Sequence, residues 1–347
     1  MMQHTQEMKY STNDSIQSNL QTSTQEPGKP RSNWTEDELV QLFDRPLLDL
    51  VFQAAQAHRT FHNSNKVQRC TLLSIKTGGC SEDCGYCPQS ARYNTGVENM
   101  ALLTETEVMT AARTAKEQGS TRFCMGAAWR EITDGPDFDH VLKLVSAVKS
   151  LDMEVCCTLG MLTDRQAERL KEAGLTAYNH NLDTSPQYYD NIISTRVYDD
   201  RLKTIDAVKE AGISVCCGGI IGMGETREDR IRFLLQLCTM NPHPESVPIN
   251  VLVPVAGTPV GDRSLEKQDH VPVFDLVRMI AMARITMPMA RVRLSAGRLF
   301  LSPEGQALCF LAGANSIFAG EKLLTTDNND IREDENLLNA LGLKFAE

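Results

Sequence analysis

The sequence predicts an α/β protein: a (βα)8 barrel of the TIM type with an N-terminal helical segment and a polar, disordered N-terminal tail. From residue 71 onward, short apolar, β-rich runs alternate with amphipathic stretches of helical period, as βα units around a parallel sheet do. Eight such runs can be marked, enough to close a barrel. An open doubly wound sheet fits the same alternation. The barrel is preferred because polar and metal-binding residues gather just after strands, the face on which barrel active sites are built.

In chain order, residues 1–33 are rich in Ser, Thr, Gln and Asn, and their scattered apolar residues bury too little to offset ordering entropy. They read as a disordered tail. Residues 34–65 form the helical segment. One helix opens at Thr35, with Glu38 completing a capping box, and Asp44-Arg45-Pro46 ends it. A second starts at Pro46 and shows Leu47, Leu48, Val51, Phe52 and Ala55 as an apolar stripe for a barrel rim or a partner subunit. The barrel spans 66–326, and 327–347 is a C-terminal segment. Its strands are expected near Thr71–Ile75, Arg122–Gly126, Glu154–Thr158, Ala177–Asn181, Ser214–Gly219, Val247–Leu252, Arg291–Ser295 and Ser316–Phe318. Its helices include Glu105–Gln118, Thr163–Ala173, Arg201–Ala211, Arg227–Met240 and Val273–Met287, with Gly119, Gly174 and Gly212 as left-handed stops. The Asp262–Pro272 stretch looks like an insertion that touches no candidate ligand.

The chain has 347 residues, 41% of them hydrophobic, and a net charge of −10. Such a surface repels phosphate backbones and anionic lipid, so neither nucleic acid nor a membrane is an expected partner. No apolar run nears the roughly 18 residues of a membrane span. The N-terminus lacks the basic-then-apolar order of a secretory signal, and Arg31 is the only arginine up to that point, unlike an Arg-rich transit peptide. A cytoplasmic location is therefore expected. There the 11 cysteines serve as metal ligands, catalytic groups or apolar filler rather than as disulfides.

Cys80-Ser81-Glu82-Asp83-Cys84-Gly85-Tyr86-Cys87-Pro88 follows the first strand through Lys76-Thr77-Gly78-Gly79. Three thiolates in this C-x3-C-x2-C loop can hold three corners of a [4Fe–4S] cube, leaving the fourth iron without a local protein ligand. An open position is what a catalytic metal site needs, as with zinc. A zinc knuckle or a ferredoxin-like carrier would need a fourth ligand nearby. Cys70 stands on the far side of a strand, and His58 and His62 lie in the preceding helix.

On these residues the sequence resembles the radical S-adenosylmethionine (SAM) superfamily, in which the open iron chelates the amino and carboxylate groups of SAM. Tyr86 resembles the aromatic residue laid against adenine. Gly218-Gly219-Ile220-Ile221-Gly222-Met223-Gly224-Glu225 looks like the superfamily's G-x-I-x-G-x-x-E stretch near adenine, which assigns Gly222 and Glu225 to SAM. By itself this run is equally a flexible βα turn. Met125-Gly126-Ala127-Ala128-Trp129 and Gly313-Ala314-Asn315-Ser316-Ile317-Phe318 extend the likeness, from about residue 34 to residue 326, to the biotin synthase family.

Cys124, Cys156 and Cys216 each fall inside an expected strand, and alternation along a strand lets three strands aim thiols into one lumen. Any one of them reads equally well as small apolar filler. In the doublets Cys156-Cys157 and Cys216-Cys217 only one residue can face inward, and sequence parity does not choose which. The resemblance does: it aligns Cys156 and Cys216 with the family's ligands and leaves Cys157 and Cys217 as packers. It implies that Cys124, Cys156, Cys216 and Arg293 hold a [2Fe–2S] cluster. Physical chemistry alone would give Arg293 a carboxylate partner or a sulfide to support, because a guanidinium offers no ordinary lone pair. Arg298 is the competing arginine.

The fourth strand runs into Tyr178-Asn179-His180-Asn181-Leu182-Asp183-Thr184-Ser185, dense in groups that must be satisfied or serve a ligand. Asn179 and Asn181, with Asn250 on the sixth strand, can offer both donors and acceptors to a ureido ring. They can equally cap helices and satisfy loops, and His180 reads as a satisfied packing histidine. By resemblance Asn181 and Asp183 also meet the SAM ribose, and Arg201 pairs with the SAM carboxylate, although it reads equally as a solvated helix residue. The resemblance further implies that SAM cleavage yields a 5′-deoxyadenosyl radical, which abstracts hydrogen from dethiobiotin. A sulfide of the [2Fe–2S] cluster is then captured, and a second cleavage closes the ring. An unactivated C–H is too weakly acidic for side-chain acid–base chemistry, so the cofactors must carry the hard step. Implied partners are dethiobiotin, an external electron donor of flavodoxin or ferredoxin type, the iron–sulfur assembly machinery and a second copy in a homodimer. The alternatives are a lipoyl synthase-like enzyme, whose extra cysteine motif the N-terminal tail lacks, and a non-catalytic iron–sulfur scaffold or electron carrier.

Overall fold

The computed structural model describes residues 30–320 and 322–346. Residues 1–29, which make up most of the expected disordered tail, lie outside the described residues. Two helices, α1 (Glu36–Phe43) and α2 (Leu47–Phe61), precede the barrel. The first half of the barrel runs β1 (Lys66–Lys76), α3 (Glu105–Glu117), β2 (Arg122–Ala127), α4 (Pro136–Lys149), β3 (Glu154–Thr158), α5 (Asp164–Glu172), β4 (Ala177–Asn179) and α6 (Tyr198–Glu210). The second half runs β5 (Ser214–Cys216), β6 (Gly219–Ile221), α7 (Arg227–Cys238), β7 (Ser246–Val251), α8 (Pro259–Lys267), α9 (Val273–Thr286), β8 (Arg291–Leu294), α10 (Pro303–Leu311) and β9 (Ser316–Ala319). A hairpin of β10 (Lys322–Leu323) and β11 (Thr326–Asp327), then α11 (Ile331–Ala340) and β12 (Lys344–Phe345), complete the chain.

The strands pair in parallel in the order β1-β2-β3-β4-β5-β7-β8-β9, and β9 returns to β1, which closes the expected barrel of eight. Local chemistry starts and stops its helices. Thr35, Thr104, Thr163 and Thr226 each cap a helix, with Glu38, Glu107, Gln166 and Asp229 reaching back in capping boxes. Gly119, Gly174 and Gly212 stop helices at φ of +81°, +98° and +69°, where a side chain would be strained.

Four expectations need correction. The α2 stripe is turned: Leu50, Val51, Ala54 and Ala55 are buried, while Leu48 is 77% and Phe52 66% exposed, because α2 packs against α9 and that partner selects the face. The fifth strand is broken at Cys217-Gly218, where the chain passes so close to β7 that a Cβ on Gly218 would lie 1.9 Å from the Pro248 carbonyl oxygen. The regular fourth strand ends at Asn179; beyond it His180 N and Leu182 N still donate to the Cys216 and Gly218 carbonyls at 3.0 Å, and Asp183, at φ +67°, makes an isolated parallel bridge to Gly219. Finally, Asp262–Pro272 does touch a candidate residue, the Gly222 loop. Arg263 donates to the Met223 carbonyl at 2.6 Å, and Val271 packs where a Cβ of Gly222 would fall.

The main apolar core lies between the strands and the surrounding helices, with a smaller cluster of Cys70, Cys124, Cys156, Ala177, Phe318 and Leu323 inside the lumen. Ion pairs plug the end of the lumen at the strand N-termini. There Arg122 reaches Glu154 at 2.8 Å and both carboxylate oxygens of Glu245 at 3.0 Å, and Arg291 adds a contact to Glu245 at 3.1 Å. The C-terminal segment is tied on by β12 pairing with the start of β1 and by a buried Arg298–Asp334 ion pair of 2.8 Å. Among the described residues no helix is long and apolar enough to cross a membrane.

Candidate active site

The cysteine loop leaves the C-terminal end of β1 through Gly78 and Gly79 at φ of +72° and +69°; a Cβ on Gly78 would lie 2.7 Å from the Glu98 carbonyl oxygen. Backbone bonds from Cys80 to Gln89 and from Ala91 back to Cys80, at 3.0 and 2.7 Å, fold it on itself. Gly85 is clamped on both sides, donating to Ile192 and accepting from Val260, each at 2.8 Å. Burial alone would raise the Asp83 carboxyl, but hydrogen bonds from Ser194 and Thr195 outweigh it and hold it at about 2. The loop is therefore braced from the 192–195 segment and from the first turn of α8.

Cys80, Cys84 and Cys87 are free thiols, and burial pushes Cys84 up to about 12 and Cys87 up to about 11, with Cys80 raised in the same way. Thiols in such a site ionise when a metal takes the place of the proton. Among the described residues no three ligating side chains are spaced around a single ion. A cluster asks for a wider spacing, because each thiolate binds its own iron.

Strand register assembles the second thiol set. Cys124 on β2 lies beside Cys156 on β3, and Cys216 on β5 lies beside Asn179 on β4. Cys157 and Cys217 face the outer core. The Cys124 thiol is raised first by its hydrogen bond with Cys156 and then by burial, and burial raises Cys216. Arg293, fully buried, donates to Ser316 Oγ at 3.0 Å and reaches Cys216 Sγ at 3.7 Å. Arg298 is engaged elsewhere, by Asp334. Sequence reasoning missed one member, because Cys70 also faces this lumen, 3.3 Å from Arg293 Nη2. Starting β1 at Lys66 rather than Thr71 would have put Cys70 on the same face as Leu72, the register partner of Cys124.

One cavity of about 350 Å³ joins the two sets. Cys80, Cys84, Cys87 and Tyr86 of the cysteine loop line it together with Cys124, Cys156 and Arg293 of the lumen, and Asn179, Asn181, Asp183, Arg201 and Asn250 also stand in its wall. Cys216 sits behind Arg293, off the cavity wall. Gly222 and Glu225 are also off the wall, and the Glu225 carboxylate accepts from its own loop at Gly222 N and Met223 N, 2.8 and 2.7 Å away.

Arg201 is not a solvated helix residue. It is buried, ion-paired to Asp183, and donates to Tyr189 Oη at 2.8 Å and to the Asn181 carbonyl. Asn250 bridges backbone, donating to Gly219 O at 2.9 Å and accepting from Ala296 N at 3.1 Å, and Asn181 Oδ1 accepts from Gly218 N at 3.1 Å. By contrast Asn179 Oδ1 is buried without a partner in the protein. The same holds for His180 Nε2, so His180 is not the satisfied packing residue expected; burial, with Arg201 and Arg196, keeps it neutral by lowering its pKa well below the usual value. Orphaned polar atoms in a cavity wall fit a polar ligand. Leu323, Leu324, Thr325 and Thr326 of the β10–β11 hairpin also line the cavity, a contribution invisible to periodicity because each strand is two residues long.

Residues 74–237 match the family model of the Radical SAM superfamily, and residues 248–344 match that of the Biotin and Thiamin Synthesis associated domain. With the closed barrel and its three-cysteine loop, these define a radical SAM enzyme, a class that uses SAM and a [4Fe–4S] cluster. The chain is 58% identical over 313 residues to biotin synthase of Flavobacterium johnsoniae, which covers 90% of this chain and 85% of that one. It is 59% identical over 315 residues to the mitochondrial biotin synthase of Arabidopsis thaliana, covering 90% of this chain and 82% of that one. The chain belongs to the biotin synthase family. Among solved structures, methylornithine synthase superposes with a TM-score of 0.75 at 20% identity, covering 90% of this chain and 94% of that one. The hydrogenase maturase HydG of Carboxydothermus hydrogenoformans gives 0.76 at 17% identity, covering 90% and 76%. These two show the shared fold.

Proposed function

We propose that this chain inserts sulfur into dethiobiotin to form biotin, with Cys80, Cys84 and Cys87 holding the [4Fe–4S] cluster and Cys124, Cys156, Cys216 and Arg293 holding a [2Fe–2S] sulfur donor. Family membership carries the reaction class, radical SAM sulfur insertion in biotin synthesis. The single observation that supports the division of labour is that Cys80, Cys84 and Cys87 share one cavity with Cys124, Cys156 and Arg293, with partnerless amide and imidazole atoms in its wall. When bound, cluster and SAM supply a one-electron cleavage whose radical product takes hydrogen from an unactivated C–H bond.

The chain's own residues position and shield. Tyr86 offers a flat face for adenine beside the cluster loop, and Asn181 and Asp183 offer acceptors to the ribose. Arg201, held by Asp183 and Tyr189, presents fixed positive charge toward the SAM carboxylate. Gly222 and Glu225 act by shaping the adenine-side loop, which the Glu225 carboxylate ties together. Asn179, with a free acceptor, takes a ureido N–H of the substrate, and Asn250 and Asn181 complete that wall. The ion-pair plug at the strand N-termini and the β10–β11 hairpin keep water from the lumen. An external reductant of flavodoxin or ferredoxin type, iron–sulfur assembly factors, a homodimer and a cytoplasmic setting belong to this reading.

The test is anaerobic reconstitution of wild type and Cys124→Ala, followed by iron and sulfide analysis and Mössbauer spectra. Wild type is expected to carry both cluster types and to convert SAM to 5′-deoxyadenosine as biotin appears. The variant is expected to keep the [4Fe–4S] signal, lose the [2Fe–2S] signal and make no biotin. A variant that keeps both clusters removes the sulfur-donor assignment, and a wild type that never cleaves SAM leaves the electron-carrier reading instead.

A further inference from the structure

The lumen holds one thiol more than the assigned set. Cys70 is completely buried, and its Sγ lies 3.3 Å from Arg293 Nη2 and 3.8 Å from Ser316 Oγ. The other arm of the same guanidinium reaches Cys216 at 3.7 Å, so Cys70 and Cys216 flank Arg293 from two strands. Cys157, Cys217, Cys238 and Cys309 sit among apolar side chains of the outer core, as filler does; Cys70 instead lies in the lumen cluster against a charged group. Four thiols and one arginine thus converge where a two-iron cluster offers four protein positions.

We propose that Cys70 is a reserve fourth thiolate of the lumen cluster, able to take the iron position otherwise assigned to Arg293. This rests on the [2Fe–2S] reading above. A guanidinium has no lone pair to give while it is protonated, whereas a thiolate is a soft, ready ligand for iron, and the two candidates are in contact. In the exchange the Fe–N bond to Arg293 breaks and an Fe–S bond to Cys70 forms. The thiol proton passes to the departing guanidine nitrogen, no electron moves, and the charge of the lumen is unchanged. No co-reactant is required. A second ligand within reach keeps lumen iron coordinated while a cluster that gives up its sulfide is rebuilt.

The test uses the full chain with Cys80, Cys84 and Cys87 all changed to Ala, so that reconstituted iron reports the lumen alone. Iron per chain and Mössbauer spectra are compared for this parent, Cys70→Ser, Arg293→Met and the Cys70→Ser/Arg293→Met combination. Each single variant is expected to keep lumen iron, and the combination to lose it by about ten-fold. In Arg293→Met two unlike ferric sites should become two all-sulfur sites, and Arg293→Lys repeats the measurement with the charge kept, in case the Met variant misfolds. The proposal is overturned if both Arg293 variants lose the iron, if the combination keeps it, or if Cys70→Ser alone empties the lumen, since a reserve ligand is dispensable. A parent that takes up no lumen iron overturns the [2Fe–2S] reading itself, which is a different result from the other three.

Discussion

The Arg201–Asp183 pair is the part of the site whose energetics can be worked out most directly. Its side chains are 4% and 3% exposed, and the guanidinium also holds Tyr189 Oη at 2.8 Å and the Asn181 carbonyl. Arg201→Met leaves a buried carboxylate without its counter-charge, which costs about 3–5 kcal/mol. Asp183→Asn leaves the arginine two of its three partners and costs less, about 2 kcal/mol. The Arg201→Met/Asp183→Asn combination has no unpaired charge left, so it should be no worse than Arg201→Met alone. The coupling is then about 2 kcal/mol or more. Urea unfolding of the four proteins under anaerobic conditions reads the cycle directly. If the two single effects add to within about 0.5 kcal/mol, the pair is not acting as a unit and the account of how Arg201 is positioned fails.

Two further outcomes are expected. Burial, reinforced by Arg284, lowers His58 to about 3 and His62 to about 4, so the folded chain stays neutral there while the unfolded chain takes up protons near the ordinary histidine value of 6.5. The stability involved is full above that value and drains away as pH falls toward 4, with about 2 kcal/mol lost for His58 alone by pH 5; melting temperature against pH should flatten between 7 and 5 in His58→Leu, and an unchanged slope refutes it. Asn179→Ala should weaken dethiobiotin binding by about ten-fold, the worth of one hydrogen bond, and leave SAM binding intact in equilibrium dialysis; undiminished substrate affinity would remove Asn179 from the substrate wall.

Much of the scaffold was legible because it is written in short-range chemistry. The Thr35–Glu38 capping box, the helix stops at Gly119, Gly174 and Gly212, and the alternation of strand and helix periods each involve residues within a turn or two of one another. The features that were misread or missed depend on partners far away. Leu48 and Phe52 are exposed because of α9, and the break at Gly218 is set by β7. Sequence leaves Arg201 open between a SAM-carboxylate partner and a solvated helix residue, and its burial depends on Asp183, 18 positions earlier. Cys70 and Arg293 stand 223 positions apart and touch across the barrel.

By itself, then, the sequence determined eight βα units, a three-cysteine loop at the mouth of the first, and further cysteines inside strands. Strand parity does not say which thiols share the lumen; the resemblance points to Cys156 and Cys216 rather than their neighbours, the tertiary structure turns those two inward, and it alone adds Cys70. The reason is physical: a strand's side chains have only two faces, and which one points inward is settled by register with the neighbouring strands.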